Sequence, residues 1–135
     1  MRSPLRLLLP LALASFCGAA VLAHAQSTDL RFANPTRFAT QTGETIYADV
    51  CQGCHMPDGQ GATGAGTYPA LAKNPNLSAA GYPVVMVIKG RKGMPPFGSQ
   101  LTDQQVAAVV NYVRTHFGND YRDEVTAADA LAARK

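Results

Sequence analysis

Two cysteines three positions apart with a histidine directly after the second, Cys51-Gln52-Gly53-Cys54-His55, constrain this chain more than any other feature in it. Covalent haem attachment uses this order: the two thiols add to the vinyl groups on one edge of the porphyrin, and the histidine ligates iron from one face. Two other readings compete. A redox dithiol of the same spacing needs a surrounding βαβ pattern, and no strand alternation flanks the motif. A structural zinc site needs four ligands. Beyond residue 25 the chain offers only Cys51, Cys54, His55 and His116, and the last lies far along the sequence in a helical pattern. Haem attachment is the favoured reading of the three.

At 135 residues the chain has room for one domain. Its start reads as an export signal. Arg2 and Arg6 precede the uncharged run Leu7 to Ala23, which closes on Ala23-His24-Ala25, an A-x-A cleavage pattern. Residues 1–25 are expected to be a signal peptide, and Cys17 is removed with them. Phe16 is bulky where a lipid-attachment site has a small residue, which disfavours a lipoprotein. An uncleaved anchor is the other alternative, since the run is just short of a comfortable bilayer span. Membrane association is expected only in that case. Export to the periplasm is common to these readings, and it suits a chain whose remaining cysteines both lie in the motif. The formal net charge of +3 falls by two when Arg2 and Arg6 are lost. Near neutrality argues against a nucleic-acid partner. Lys89, Arg91 and Lys92 cluster, whereas Asp120, Asp123, Glu124 and Asp129 fall near the end. The basic cluster reads equally well as a patch facing an acidic partner or haem propionates and as a solvated loop.

Residues 26–41 are polar, contain Pro35 and show no sustained period, as expected of an extended leader pinned by Phe32 and Phe38. Thr42 then suits a helix N-cap, and Ile46, Tyr47 and Val50 share one face of a helix running into Cys51. Pro57 to Gly66 is too glycine-rich for a helix or a central strand. Such a loop can pack backbone against a flat cofactor edge, and a flexible surface loop is the alternative. In the block Tyr68-Pro69-Ala70-Leu71, the Pro69 carbonyl is the candidate acceptor for the second ring N–H of His55. The run Tyr82 to Ile88 is apolar almost all round. Pro83 suits a first helical turn and Gly90 a stop, although β-branched content leaves a strand open. An apolar wall for the cofactor results from either.

Three methionines beyond the signal segment could supply a second axial ligand. Met56 follows His55 too closely to reach the opposite face, and Met86 lies inside the apolar run. Met94, in Gly93-Met94-Pro95-Pro96-Phe97, sits in a proline-stiffened loop able to hold a thioether toward a cofactor. The clearest helix comes next: Thr102 and Gln105 form a capping box, Val106, Val109, Val110, Val113 and Phe117 recur at helical spacing, and Gly118 ends it. This helix is expected to cross the first, with Gly43 permitting close approach. Residues 120–135 read as a polar tail with one short turn from Thr126.

With these residues in place, residues 42–119 resemble the class I cytochromes c. The resemblance is carried by Gly43, Tyr47 and Cys51 at four-residue steps, the Cys-x-x-Cys-His, Tyr68-Pro69-Ala70-Leu71, Met94-Pro95 and the last helix with Tyr112. It implies an all-α fold with N- and C-terminal helices crossed around a single haem c, linked through Cys51 and Cys54. It further implies His55 and Met94 as the iron ligands, with Tyr68, Pro69, Leu71, Pro95 and Phe97 around the cofactor. Within the family, the segments Tyr68 to Leu71, Met94 to Phe97 and Tyr112-Val113-Arg114 are most similar to cytochrome domains serving periplasmic alcohol and aldehyde dehydrogenases. Those subunits commonly carry three haem domains, whereas this chain has one attachment motif.

With both axial positions filled, no coordination site is left for substrate, so the implied function is one-electron transfer, not catalysis. The expectation is a periplasmic electron carrier, monomeric or a small subunit of a complex. It would take electrons from a redox protein donor, such as an alcohol or aldehyde dehydrogenase, and pass them to a downstream acceptor or terminal oxidase. A permanently bound dehydrogenase subunit is the alternative; a haem enzyme or gas sensor with a displaceable sixth ligand is a third reading.

Overall fold

The computed structural model describes residues 42–64 and 66–135. The expected signal peptide 1–25 and the leader 26–41, with Phe32 and Phe38, lie outside the described residues. The chain is mostly helical. In order come α1 (Gly43–Ile46), a π-helical turn (Tyr47–Cys51), α2 (Gln52–His55), the short strands β1 (Ala62–Thr63) and β2 (Thr67–Tyr68), and a 3-10 turn (Pro75–Ser78). They are followed by α3 (Gly81–Lys89), α4 (Asp103–Thr115) and α5 (Ala127–Ala133).

The first helical path starts where Thr42 accepts a hydrogen bond from the Thr45 amide at 3.2 Å. It buries Ile46 and Tyr47 and half-buries Val50. Its middle is π-helical, a geometry that occurs mostly as short insertions and often at functional sites. That irregularity leaves no trace in the apolar spacing. α1 lies against α4 so closely that a Cβ on Gly43 would stand 2.2 Å from the Ala108 carbonyl oxygen. Only glycine fits there without separating the helices.

α4 begins with the expected capping box. Thr102 accepts from the Gln105 amide, and the Gln105 side chain accepts from the Thr102 amide at 2.9 Å. Val106, Val109, Val110 and Val113 are buried on one face, each contributing roughly 1.5–3 kcal/mol through removal from water. The helix ends at Thr115, short of the expected Gly118. His116 is extended, and Phe117 and Gly118 have φ of 58° and 79°. The chain turns back there, so Phe117 packs on Tyr47 at 4.8 Å between ring centroids from outside the helix.

The β-branched run is helical: α3 buries Pro83, Val84 and Ile88 and is stopped by Gly90 at φ 66°. Placement of one face in the core and a fitted terminus outweigh strand propensity. The segment read as a polar tail holds more structure than one short turn. Thr126 and Asp129 form a second capping box, α5 follows, and Val125 and Ala130 are buried in the same core as Ile46, Val84 and Val110. Within the glycine-rich loop, β1 and β2 pair antiparallel with Ala62 opposite Tyr68 and Thr63 opposite Thr67.

Two buried polar side chains join the loops to α4. Arg114 is fully buried; its Nε donates to the Leu77 carbonyl at 2.9 Å, and its Nη2 donates to Asp123 Oδ1 at 2.6 Å. This hydrogen bond holds the Asp123 carboxyl below its ordinary range. The stabilisation is present above the unfolded carboxylate pKa and is lost as pH falls through the depressed folded value. Asn119 donates to the Leu71 and Val113 carbonyls at 2.9 and 2.8 Å and accepts from the Asn74 amide at 3.0 Å.

Candidate functional site

The motif residues sit where the π turn gives way to α2. Cys51 is half-buried and Cys54 is exposed, and no disulfide joins them. Burial, with a smaller contribution from Cys54, pushes the Cys51 thiol up to about 12. A redox dithiol needs the opposite, a thiolate stabilised near neutral pH. Among the described residues no group of three His, Cys, Asp or Glu side chains is placed to hold a metal ion.

His55 ends α2 and is 9 % exposed. Its Nδ1 lies 2.9 Å from the Pro69 carbonyl oxygen, the contact foreseen from sequence. A carbonyl can only accept, so this bond places the ring proton on Nδ1 and leaves the Nε2 lone pair for a metal. The backbone around the ring is tightly folded. Gly61 donates to the His55 carbonyl at 3.0 Å, and Leu71 and Ala72 both donate to the Gly59 carbonyl. A Cβ on Gly61 would stand 2.2 Å from the Tyr68 carbonyl oxygen. The glycines therefore let the loop close under His55. Tyr47 Oη donates to the Met56 carbonyl at 2.6 Å, fixing the exit from α2. Burial first, then Cys51, Tyr112 and Asp58, push that phenol up to about 12, so it remains a donor.

Met94 lies in the loop that follows α3. Its amide and carbonyl exchange hydrogen bonds with Arg91, both at 3.0 Å. Gly90 lies beneath it: a Cβ there would stand 2.5 Å from the Met94 carbonyl oxygen. Pro95 is exposed, and Phe97 is half-buried with its amide donating to the Val87 carbonyl at 2.9 Å. A hydrogen bond thus joins His55 to Pro69 directly, while Met94, Pro95 and Phe97 are organised separately by α3. Tyr68 is 42 % exposed and Leu71 half-buried.

These residues fit a haem. Val50, Cys51, Leu71, Val85, Met86, Met94 and Phe97 are apolar and all only half-buried. α3 is apolar almost all round, yet only Pro83, Val84 and Ile88 of it are buried. A flat apolar group covering such a surface would remove it from water. The thiols, the imidazole with a free Nε2 and the thioether are the donor types that covalent haem with His/Met ligation uses. Sequence reasoning missed Asn119, which holds the Leu71 end of the loop; an Asn after a helix signals a cap, not a cross-link.

Known proteins similar to this chain are cytochromes. Residues 38–113 match the family model described as "Cytochrome C oxidase, cbb3-type, subunit III". The gluconate 2-dehydrogenase cytochrome c subunit of Pantoea cypripedii is 37 % identical over 108 residues, covering 71 % of this chain and 24 % of that protein. The fructose dehydrogenase cytochrome subunit of Gluconobacter japonicus is 34 % identical over 116 residues, covering 75 % and 23 %. A cytochrome c-552 of Thermus thermophilus is 35 % identical over 97 residues, covering 60 % and 64 %. The chain spans about a quarter of the length of these dehydrogenase subunits.

Proposed function

The chain belongs to the cytochrome c family, and from that premise we propose that it is a monohaem electron carrier with His55 and Met94 as axial ligands and thioether links at Cys51 and Cys54. The observation that carries the reading is the 2.9 Å bond from His55 Nδ1 to the Pro69 carbonyl. It orients the imidazole directly beside the two thiols and raises its strength as a donor.

Haem c, when bound, supplies one-electron exchange between Fe(III) and Fe(II). The chain's residues do the rest. Cys51 and Cys54 fix one edge of the cofactor to α2 and the π turn. His55 and the Met94 thioether would be the two protein ligands to the iron, a donor set that would leave neither oxygen nor an organic substrate a place to coordinate. The Met/His pair and the apolar side chains of α3, Leu71 and Phe97 disfavour the added charge of the oxidised state, raising the potential. The exposed Tyr68 and the glycine loop would offer a redox partner a small, short-lived contact near the bound cofactor.

The apolar run ending in Ala23-His24-Ala25 supports export, so the domain works in the periplasm. No helix among the described residues is long and apolar enough to cross a membrane. Similarity to cytochrome subunits of gluconate and fructose dehydrogenases supports a dehydrogenase of that kind as donor. A permanent place in such a complex is the second reading, favoured by those same relatives; a downstream acceptor or oxidase takes the electron in either.

Carbon monoxide separates the carrier from a haem enzyme or sensor. The ferrous native protein is expected to be inert to the gas on the timescale of mixing, and the ferric form to show the weak long-wavelength methionine-to-iron band. Rapid binding by the native protein would overturn the carrier reading.

A further inference from the structure

We infer that Arg134, at the C-terminal end of α5, is a positioning residue for Met94, and that α5 acts as a strap setting how readily the thioether leaves the iron. The inference rests on the Met94 ligation proposed above.

The Met94 loop runs from Gly90 to Leu101, and α5 braces it beyond both ends of the Met94 turn. On the near side, Lys89 Nζ donates to the backbone oxygen of Lys135 at 3.0 Å. On the far side, Arg134 Nη1 donates to the Gly98 carbonyl and Nη2 to the Leu101 carbonyl at 2.9 Å. Its Nε donates to Asp103 Oδ1 at 2.5 Å, in the first turn of α4. The pair is about one-quarter exposed, with side-chain exposures of 28 % and 25 %. One planar guanidinium therefore joins three acceptors from the loop and α4, a geometry that a lysine ammonium cannot reproduce.

The stretch between Gly98 and Met94 is stiff. Pro95 and Pro96 have fixed φ, and the Phe97 and Gly98 amides donate to the Val87 and Ile88 carbonyls at 2.9 and 3.2 Å. Pro95 and Pro96 leave few free torsions between Gly98 and Met94 in which a shift at Gly98 could be absorbed. The base of the strap is firm, because Ala130 is fully buried among α5's neighbours. Arg134 lines an open cleft of about 400 Å³ together with Gly98, Ser99, Leu101, Thr102 and Asp103. When the guanidinium is removed, water in that cleft takes over its acceptors and the loop keeps only its hydrogen bonds to α3, losing its tie to α4 and α5.

The test uses the full haem-loaded protein with Arg134→Gln, Arg134→Lys, Arg122→Gln and Val109→Ala. Arg122 pairs with Asp120 at the surface. Val109 is a core residue of α4, so its truncation lowers global stability without touching the strap. Arg134→Gln should speed carbon monoxide binding to the ferrous protein on the order of tenfold, as the population with the ligand detached rises. Amide hydrogen exchange should accelerate between Met94 and Leu101 before it does in α4. Arg134→Lys should recover part of both effects, and Arg122→Gln neither. If Arg134→Gln binds carbon monoxide no faster than Val109→Ala at equal loss of melting temperature, Arg134 is merely structural and the inference fails. A native protein without the methionine band would instead overturn the ligand assignment, and this inference with it.

Discussion

With both Cys51 and Cys54 replaced by alanine, haem should go from fully retained to fully extractable when the protein is denatured and washed with acidified solvent. The single variants should each keep a weaker hold through the remaining thiol. The expectation follows from the site's construction. His55 and Met94 offer only coordinate bonds, which unfolding and protonation of the imidazole break, whereas the covalent thioether links survive. A haem stain of denatured protein on a gel is sufficient to read the result. Retention in the double variant would show that some other bond holds the cofactor.

Replacing Met94 by alanine should abolish the methionine-to-iron band, open the iron to carbon monoxide and lower the reduction potential by roughly 0.2 V, a fraction of the ~0.8 V over which axial ligands tune haem potentials. Loss of the soft thioether removes a ligand that favours Fe(II), and water entering the opened position stabilises Fe(III). Protein voltammetry and the ferric spectrum report the two effects independently. An unchanged spectrum would move the ligand to Met86, which lies half-buried on α3.

Much of this was legible in the sequence because it is encoded locally. The Cys-x-x-Cys-His order, the Thr102 and Gln105 capping box, the valine face of α4 and the need for glycine at position 43 each depend on residues a few positions apart or on one steric demand. The His55 to Pro69 bond was also foreseeable, since a ligating histidine needs an acceptor and few lie nearby. Ligation itself rests on the chemistry of the donor set.

Other features were hidden for physical reasons. α5 is alanine-rich, and small side chains give a faint apolar period even when one of them, Ala130, is completely buried. Arg134 looks like a solvated end charge because two of its three acceptors are backbone carbonyls, which no residue type announces, and the third, Asp103, lies 31 positions away. Phe117 continues the helical spacing of Val106 to Val113, yet the helix stops at Thr115 and its ring reaches Tyr47 from a left-handed turn. Spacing records which side chains meet, not whether the backbone between them is helical. The π turn likewise inserts its irregularity without disturbing the burial of Ile46 and Tyr47.

The intact mass of the purified protein, taken after denaturation, should equal the polypeptide mass plus one haem, with no population of bare chain. A mass equal to the polypeptide alone, from protein that was red before denaturation, would contradict covalent attachment at Cys51 and Cys54; a colourless protein of that mass would remove the haem altogether.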